Sequence, residues 1–139
     1  MEIEFINEEE VLNAITKKIR DGLRHGMVEA CLMVEGDAKK LSEPIDDGVL
    51  RASITHSVEE EADGFVGYVG TNVEYAPYLH QGTGIYALEG NGRKEVPWRY
   101  KDKKGKWRST KGIRPRPFIY NALEKNRAKI VEKLREGLK

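Results

Sequence analysis

Apolar residues recur every three or four positions from Leu12 through Ile15, Ile19, Leu23, Met27, Ala30, Val34 and Ala38 to Leu41. This is the period of a single helical face. Ahead of the run, Asn7 and Glu10 have the spacing of a capping box, and Ile6 and Val11 stand where a hydrophobic staple places its two side chains. The pattern predicts a first helix of about 35 residues, roughly 50 Å long at ~1.5 Å rise per residue. Gly22, Gly26 and Gly36 lower its intrinsic propensity and mark a bend or a close contact. A helix of that length exceeds what one small sheet can cover, which leaves part of its apolar face for a neighbouring subunit.

Pro44 and the run Asp46-Asp47-Gly48 stop the helix and turn the chain. Residues 50–59 then read as a strand, with Ile54, His56 and Val58 on one face. A turn at 61–64 leads to a returning strand at 65–71, and the acids Glu59, Glu60 and Glu61 put an exposed tip on this hairpin. Asn72 has the chemistry of a turn or a helix N-cap, its short side chain able to bond a free backbone N–H ahead of it. Residues 73–81 fit a short helical turn carrying Tyr75, Tyr78 and Leu79, with Pro77 early in it and Gly82-Thr83-Gly84 ending it. The next stretch, from about 88 to 114, is polar and rich in glycine. Within it residues 96–101 and 106–110 either pair as a short hairpin anchored by Trp98, Tyr100 and Trp107, or form a loop that orders only on a partner. Pro115 and Pro117 set the start of a last helix whose apolar positions are Phe118, Ala122, Leu123, Ile130, Val131, Leu134 and Leu138. These elements predict a single α+β domain over residues 1–139: a small antiparallel β-sheet packed with a long N-terminal helix and a C-terminal helix.

Composition sharpens this picture mainly through charge. The chain of 139 residues is 39% hydrophobic and 34% charged, with a formal net charge of +1. That balance hides an uneven distribution. From Arg93 to Arg116 there are eleven Lys/Arg against two acids, so this segment carries +9 and the remainder −8. Basic residues interleaved with Trp98, Tyr100 and Trp107 suit a single-stranded nucleic acid, with bases on the rings and phosphates on Arg99, Lys101, Lys103, Lys104, Lys106 and Arg108. The same residues also suit a docking surface for an acidic partner, such as the acidic remainder of a second copy. No apolar run approaches bilayer length, and the start, Met-Glu-Ile-Glu-Phe, lacks the basic-then-apolar pattern of a signal peptide. Neither membrane contact nor an internal disulfide is expected, since Cys31 is the single cysteine.

Catalytic chemistry finds little footing. There is no HExxH, CxxC or G-x-S-x-G, and the histidines at 25, 56 and 80 are scattered over different elements. Asp46, Asp47 and His56 could meet around a metal in a small hydrolase, but turn chemistry already accounts for both aspartates. Gly82-Thr83-Gly84 lacks the flanking GK[ST] of a phosphate loop. Cys31, on the apolar face of the first helix, reads as a small buried hydrophobe. The expectation is a protein with no enzymatic activity, no metal and no cofactor.

Three stretches, in order, carry a family resemblance: Asp46-Asp47-Gly48-Val49-Leu50-Arg51-Ala52-Ser53-Ile54; Gly70-Thr71-Asn72-Val73-Glu74-Tyr75-Ala76-Pro77-Tyr78 running on to Gly82-Thr83-Gly84; and Arg114-Pro115-Arg116-Pro117-Phe118-Ile119-Tyr120-Asn121-Ala122-Leu123. Together they resemble the siphophage tail-component family, the tail-completion or head–tail joining proteins, and with the helical flanks the likeness covers nearly the whole chain. The resemblance implies a bacteriophage or prophage virion structural protein, assembled in the bacterial host cytoplasm and resident in the virion. It implies a subunit of a homo-oligomeric ring, often six-fold, around the DNA channel, with other tail and head–neck proteins as partners and DNA within reach. Residues 93–116 form a longer and more basic segment than the family pattern needs.

Overall fold

The computed structural model describes residues 8–42 and 48–139. The expected N-terminal cap and staple (Ile6, Asn7) and the turn residues Pro44, Asp46 and Asp47 lie outside the described residues. The fold is α+β. Helix α1 (Glu8–Leu41) opens on three glutamates and closes on Lys39 and Lys40, each matched to the sign of the helix dipole at its end. Its buried residues are Gly26, Ala30, Cys31, Val34 and Ala38, all in the second half, whereas residues 8–20 are exposed throughout. Ser42 closes the helix, its amide donating to Ala38 O at 2.9 Å and its hydroxyl to Lys39 O at 2.7 Å.

The strand expected over residues 50–59 begins later than the sequence predicts. Gly48, in the left-handed conformation (φ 86°), launches a helical turn, α2 (Val49–Ser53). Leu50 and Ile54 are buried while Arg51 and Ala52 are exposed. A four-residue spacing of buried side chains fits one strand face and one helix face equally well. A strand, however, would bury Ala52 with its neighbours, and the helical turn does not. Strand β1 (Thr55–Glu61) follows, with His56 and Val58 half-buried between exposed neighbours. It pairs antiparallel with β2 (Gly64–Gly70), from Thr55 opposite Gly70 to Glu61 opposite Gly64, through a two-residue turn. The pair lies against α1 with almost no space between. A Cβ at Gly67 would run into Cys31 Sγ and stand 3.0 Å from Met27 Sδ.

Helix α3 (Ala76–Gln81) carries Pro77 in its first turn and ends at Gly82 (φ 85°), whose amide donates to Tyr78 O at 2.8 Å. Of the two alternatives for the basic segment the hairpin is the one present, as β3 (Trp98–Lys101) and β4 (Trp107–Thr110). The strands thus form two separate two-stranded sheets. Helix α4 (Phe118–Gly137) runs antiparallel to α1: Asn126 meets Asp37, Lys133 meets Glu29, and Gly137 meets Gly22. This pairing corrects the apolar face assigned to α4. Leu123, Val131 and Leu138 are 38%, 48% and 51% exposed, and the buried residues are Phe118, Ala122 and Asn126.

The core gathers Val34 and Ala38 of α1, Leu50 and Ile54, Ala76 of α3, and Phe118 and Ala122 of α4. Among the described residues two polar ones, Ser42 and Asn126, are buried with it. The buried Asn126 amide donates to Asp37 Oδ2 at 2.6 Å and to Ala122 O at 2.8 Å. Both partners are acceptors, which fixes the amide orientation. This bond, with Lys125 and Lys40 nearby, holds the Asp37 carboxyl below its ordinary value of 3.8. A carboxyl lowered in the folded state stabilises the protein above its unfolded pKa and loses that contribution as pH falls. Asn126→Ala is therefore expected to flatten the pH dependence of unfolding below about pH 5, as well as lowering stability at neutrality by about 1–3 kcal/mol. Urea titrations between pH 7 and 3 check it; unchanged pH dependence would separate Asn126 from Asp37.

Candidate functional site

The three motif stretches converge on one side of the core. Ser53 and Thr71 are joined through their hydroxyls at 2.5 Å. Donor counting orders the chain: Val73 N–H donates to Thr71 Oγ1 (3.1 Å), Thr71 to Ser53, and Ser53 to Leu50 O (2.6 Å). The bond to a backbone N–H ahead of it expected of Asn72 is made by Thr71, one residue earlier, in the turn before α3; among the described residues α3 has no side-chain cap, and Asn72 is exposed. Tyr75 precedes α3 as its N-cap residue, Ala76 is buried in the core, and Pro77 and Tyr78 face outward. Gly48, Leu50, Arg51 and Ile54 belong to the α2 turn, with Arg51 exposed on its outer side.

The second and third stretches are laced together by the backbone. Thr83 N–H donates to Ile113 O (2.9 Å), Ile113 N–H to Thr83 Oγ1 (2.9 Å), Ile85 N–H to Lys111 O (3.2 Å) and Arg116 N–H to Leu79 O (2.9 Å). Gly82 and Gly84 (φ 60°) permit this approach. A Cβ on Gly82 would lie 2.9 Å from both Ile113 O and Pro115 Cδ, and one on Gly84 would strike Lys111 O. Pro115 leads into Arg116, and Pro117 is the N-cap residue of α4. Phe118 then enters the core, with His80 edge-on to its ring at 6.0 Å. The resemblance stretches therefore build one packed knot, which is structural in its chemistry.

Two surfaces stand apart from the knot. The first is the bare half of α1, where Val11, Leu12, Ile15 and Ile19 are 42%, 62%, 50% and 46% exposed. At ~1.5 Å per residue, residues 8–20 extend about 20 Å beyond the part of α1 that α4 accompanies. The second is the β3–β4 hairpin. Asp102 organises its tip, accepting from Lys104 N–H and Lys106 N–H, both at 2.9 Å, and from Arg108 Nε at 2.8 Å. These bonds, Arg108 first, hold the Asp102 carboxyl below its ordinary value. On the hairpin Arg99 and Lys101 stand 5.2 and 5.3 Å from the centroid of Trp107. At the segment's edges Arg93 lies over Trp98 and Arg114 over Tyr86.

No metal-binding group of three or more His, Cys, Asp or Glu occurs among the described residues. His25 pairs with Glu29 (3.1 Å) and His56 with Glu35 (3.2 Å). Cys31 is buried, and burial together with Glu35 pushes its thiol pKa up, away from the reactive thiolate. Among the described residues no helix is long and apolar enough to cross a membrane.

Sequence reasoning passed over several of the residues that shape these surfaces. Gly137 drew no reading from the sequence and is a contact residue. Asn126 drew none either and is buried. Glu60 looked like part of a repelling acidic tip, yet it accepts Arg20 (3.3 Å) and Arg24 (2.8 Å) from α1. Gly22 and Gly26, four apart on one helix, were the available signal for the crossing. No family model, no curated protein and no solved structure matches this chain.

Proposed function

We propose that this protein is a bacteriophage virion morphogenesis subunit that completes the tail or joins it to the head, working as one member of a ring. Its action is mechanical: complementary surfaces hold neighbouring subunits in register, with no turnover. The observation that carries the reading is the uncovered first half of α1. Four large apolar side chains stand on one helix face, each between 42% and 62% exposed among the described residues. An exposed apolar stripe on a rigid helix suits a protein–protein interface. The converging stretches 48–54, 70–84 and 114–118 add support through the resemblance they carry. Opposite charge on separate segments suits a heterologous contact that closes into a ring.

Deleting the gene from an inducible lysogen that carries it tests the reading by electron microscopy. DNA-filled heads lying apart from tails, or tails of irregular length, are expected, with normal particles restored by complementation. Normal infectious virions from the deletion strain would overturn it. The helix face has its own test. Leu12→Glu with Ile15→Glu should leave folding stability within about 0.5 kcal/mol, because both side chains are exposed, yet abolish complementation. A doubly substituted protein that still rescues particle assembly removes α1 from the interface.

A further inference from the structure

We propose that the β3–β4 hairpin binds single-stranded nucleic acid, holding phosphates on its cations and a base on Trp107. The inference stands on the hairpin alone and does not need the virion reading. Pairing of Arg99 with Ser109 and of Lys101 with Trp107 puts these four side chains on one face, since side chains alternate along a strand. That face offers an aromatic ring, 55% exposed, with a guanidinium and an ammonium each about 5 Å from its centroid. An exposed tryptophan is unremarkable by itself. Here two cations lie over it, which a stacking base would draw onto its phosphates, on a hairpin that bonds chiefly to itself, in a segment carrying +9 on a chain of +1. Base stacking between cations that neutralise adjacent phosphates is the chemistry of sequence-tolerant single-strand binding.

The tip is preformed for the task. Asp102 is tied to Arg108 and to two backbone amides, so its negative charge is spent inside the turn, and Lys104 and Lys106 flank it exposed. Little ordering remains to oppose binding. An acidic protein would satisfy the cations equally well but would gain nothing from the ring. The remaining −8 of the chain repels a polyanion from the rest of the surface and confines the footprint to the hairpin. About four phosphates then contribute, so log K should fall against log salt with a slope near −3.

Fluorescence anisotropy of labelled dT20 with the full chain, from 50 to 200 mM NaCl, is the experiment. Binding at low salt, with quenching of tryptophan emission and the stated slope, is expected. Lys101→Gln, Lys104→Gln and Lys106→Gln together should shallow that slope by about two. Trp107→Ala should weaken dT20 about ten-fold while leaving the thermal midpoint unchanged, because the ring lies outside the core. Absence of binding at 50 mM salt overturns the proposal. So does poly-glutamate binding as tightly as dT20 with Trp107→Ala silent, the outcome that assigns the hairpin to an acidic protein.

Discussion

Gly26→Leu is expected to destabilise the protein by about 3 kcal/mol, while Gly36→Ala, ten residues along the same helix, raises its stability by about 0.5–1 kcal/mol. Intrinsic propensity favours the side chain at both positions, so the difference lies in what the Cβ meets. At Gly36 nothing lies within 4 Å. At Gly26, a buried position, a Cβ would stand 2.7 Å from Lys133 O and 3.1 Å from Leu134 Cα. A backbone carbonyl inside α4 cannot swing aside as a side-chain tip can. The helices must separate, and contacts along the whole crossing loosen. Gly22 faces Gly137 O in the same way, but at the last turn of α4, where unwinding relieves the clash. Gly22→Ala should therefore cost less than Gly26→Ala. Urea denaturation of the four variants resolves the order. A Gly26→Leu protein as stable as the parent would mean that the backbones do not meet there.

Phe118→Ala is expected to cost about 4 kcal/mol, a large part of the ~5–15 kcal/mol that separates folded from unfolded in domains of this kind. Phe118 heads the fully buried side chains, at 1% exposure, and sits where α2, α3 and α4 meet α1. Of the seven residues in the buried cluster three are alanines, so Phe118, Leu50, Ile54 and Val34 supply most of its volume. The small residues cannot collapse into the space a missing ring leaves. Phe118→Leu should recover more than half of the loss. Chemical denaturation with circular dichroism tests both, and a Phe118→Ala midpoint close to the parent's would place the centre of the core elsewhere.

How far the sequence foretold this structure depended on how strongly each signal was local. The first helix was legible because its period persists from Leu12 to Leu41, and the β1–β2 hairpin because alternation at His56 and Val58 meets a turn before Gly64. The switch from α2 to β1 was not legible, since Leu50 and Ile54 satisfy both periods and only packing against α1 and α4 decides. The face of α4 was misjudged for a related reason. Its contact with α1 runs through Ala122, Asn126 and Gly137, residues too small or too polar to register as core. The knot at 70–84 was readable from Pro77, Gly82 and Gly84. The side chain that closes the turn before α3 was not, because Thr71 and Asn72 offer the same chemistry one residue apart. Charge asymmetry located the basic segment, and the choice between hairpin and loop rested on Asp102, whose bonds to Lys104, Lys106 and Arg108 are visible only in three dimensions.

The lacing of Thr83 to Ile113 and of Ile85 to Lys111 has an architectural consequence. It brings the two ends of the segment 86–110 together at a fixed gate, with Gly84 against Gly112. The β3–β4 hairpin beyond the gate can lengthen, shorten or change sign while the scaffold behind it registers chiefly a change in loop-closure entropy, which grows slowly with length. The protein is thus built as a constant frame with an interchangeable insert. Exchanging this basic hairpin for another would change the surface it presents without refolding the knot behind it.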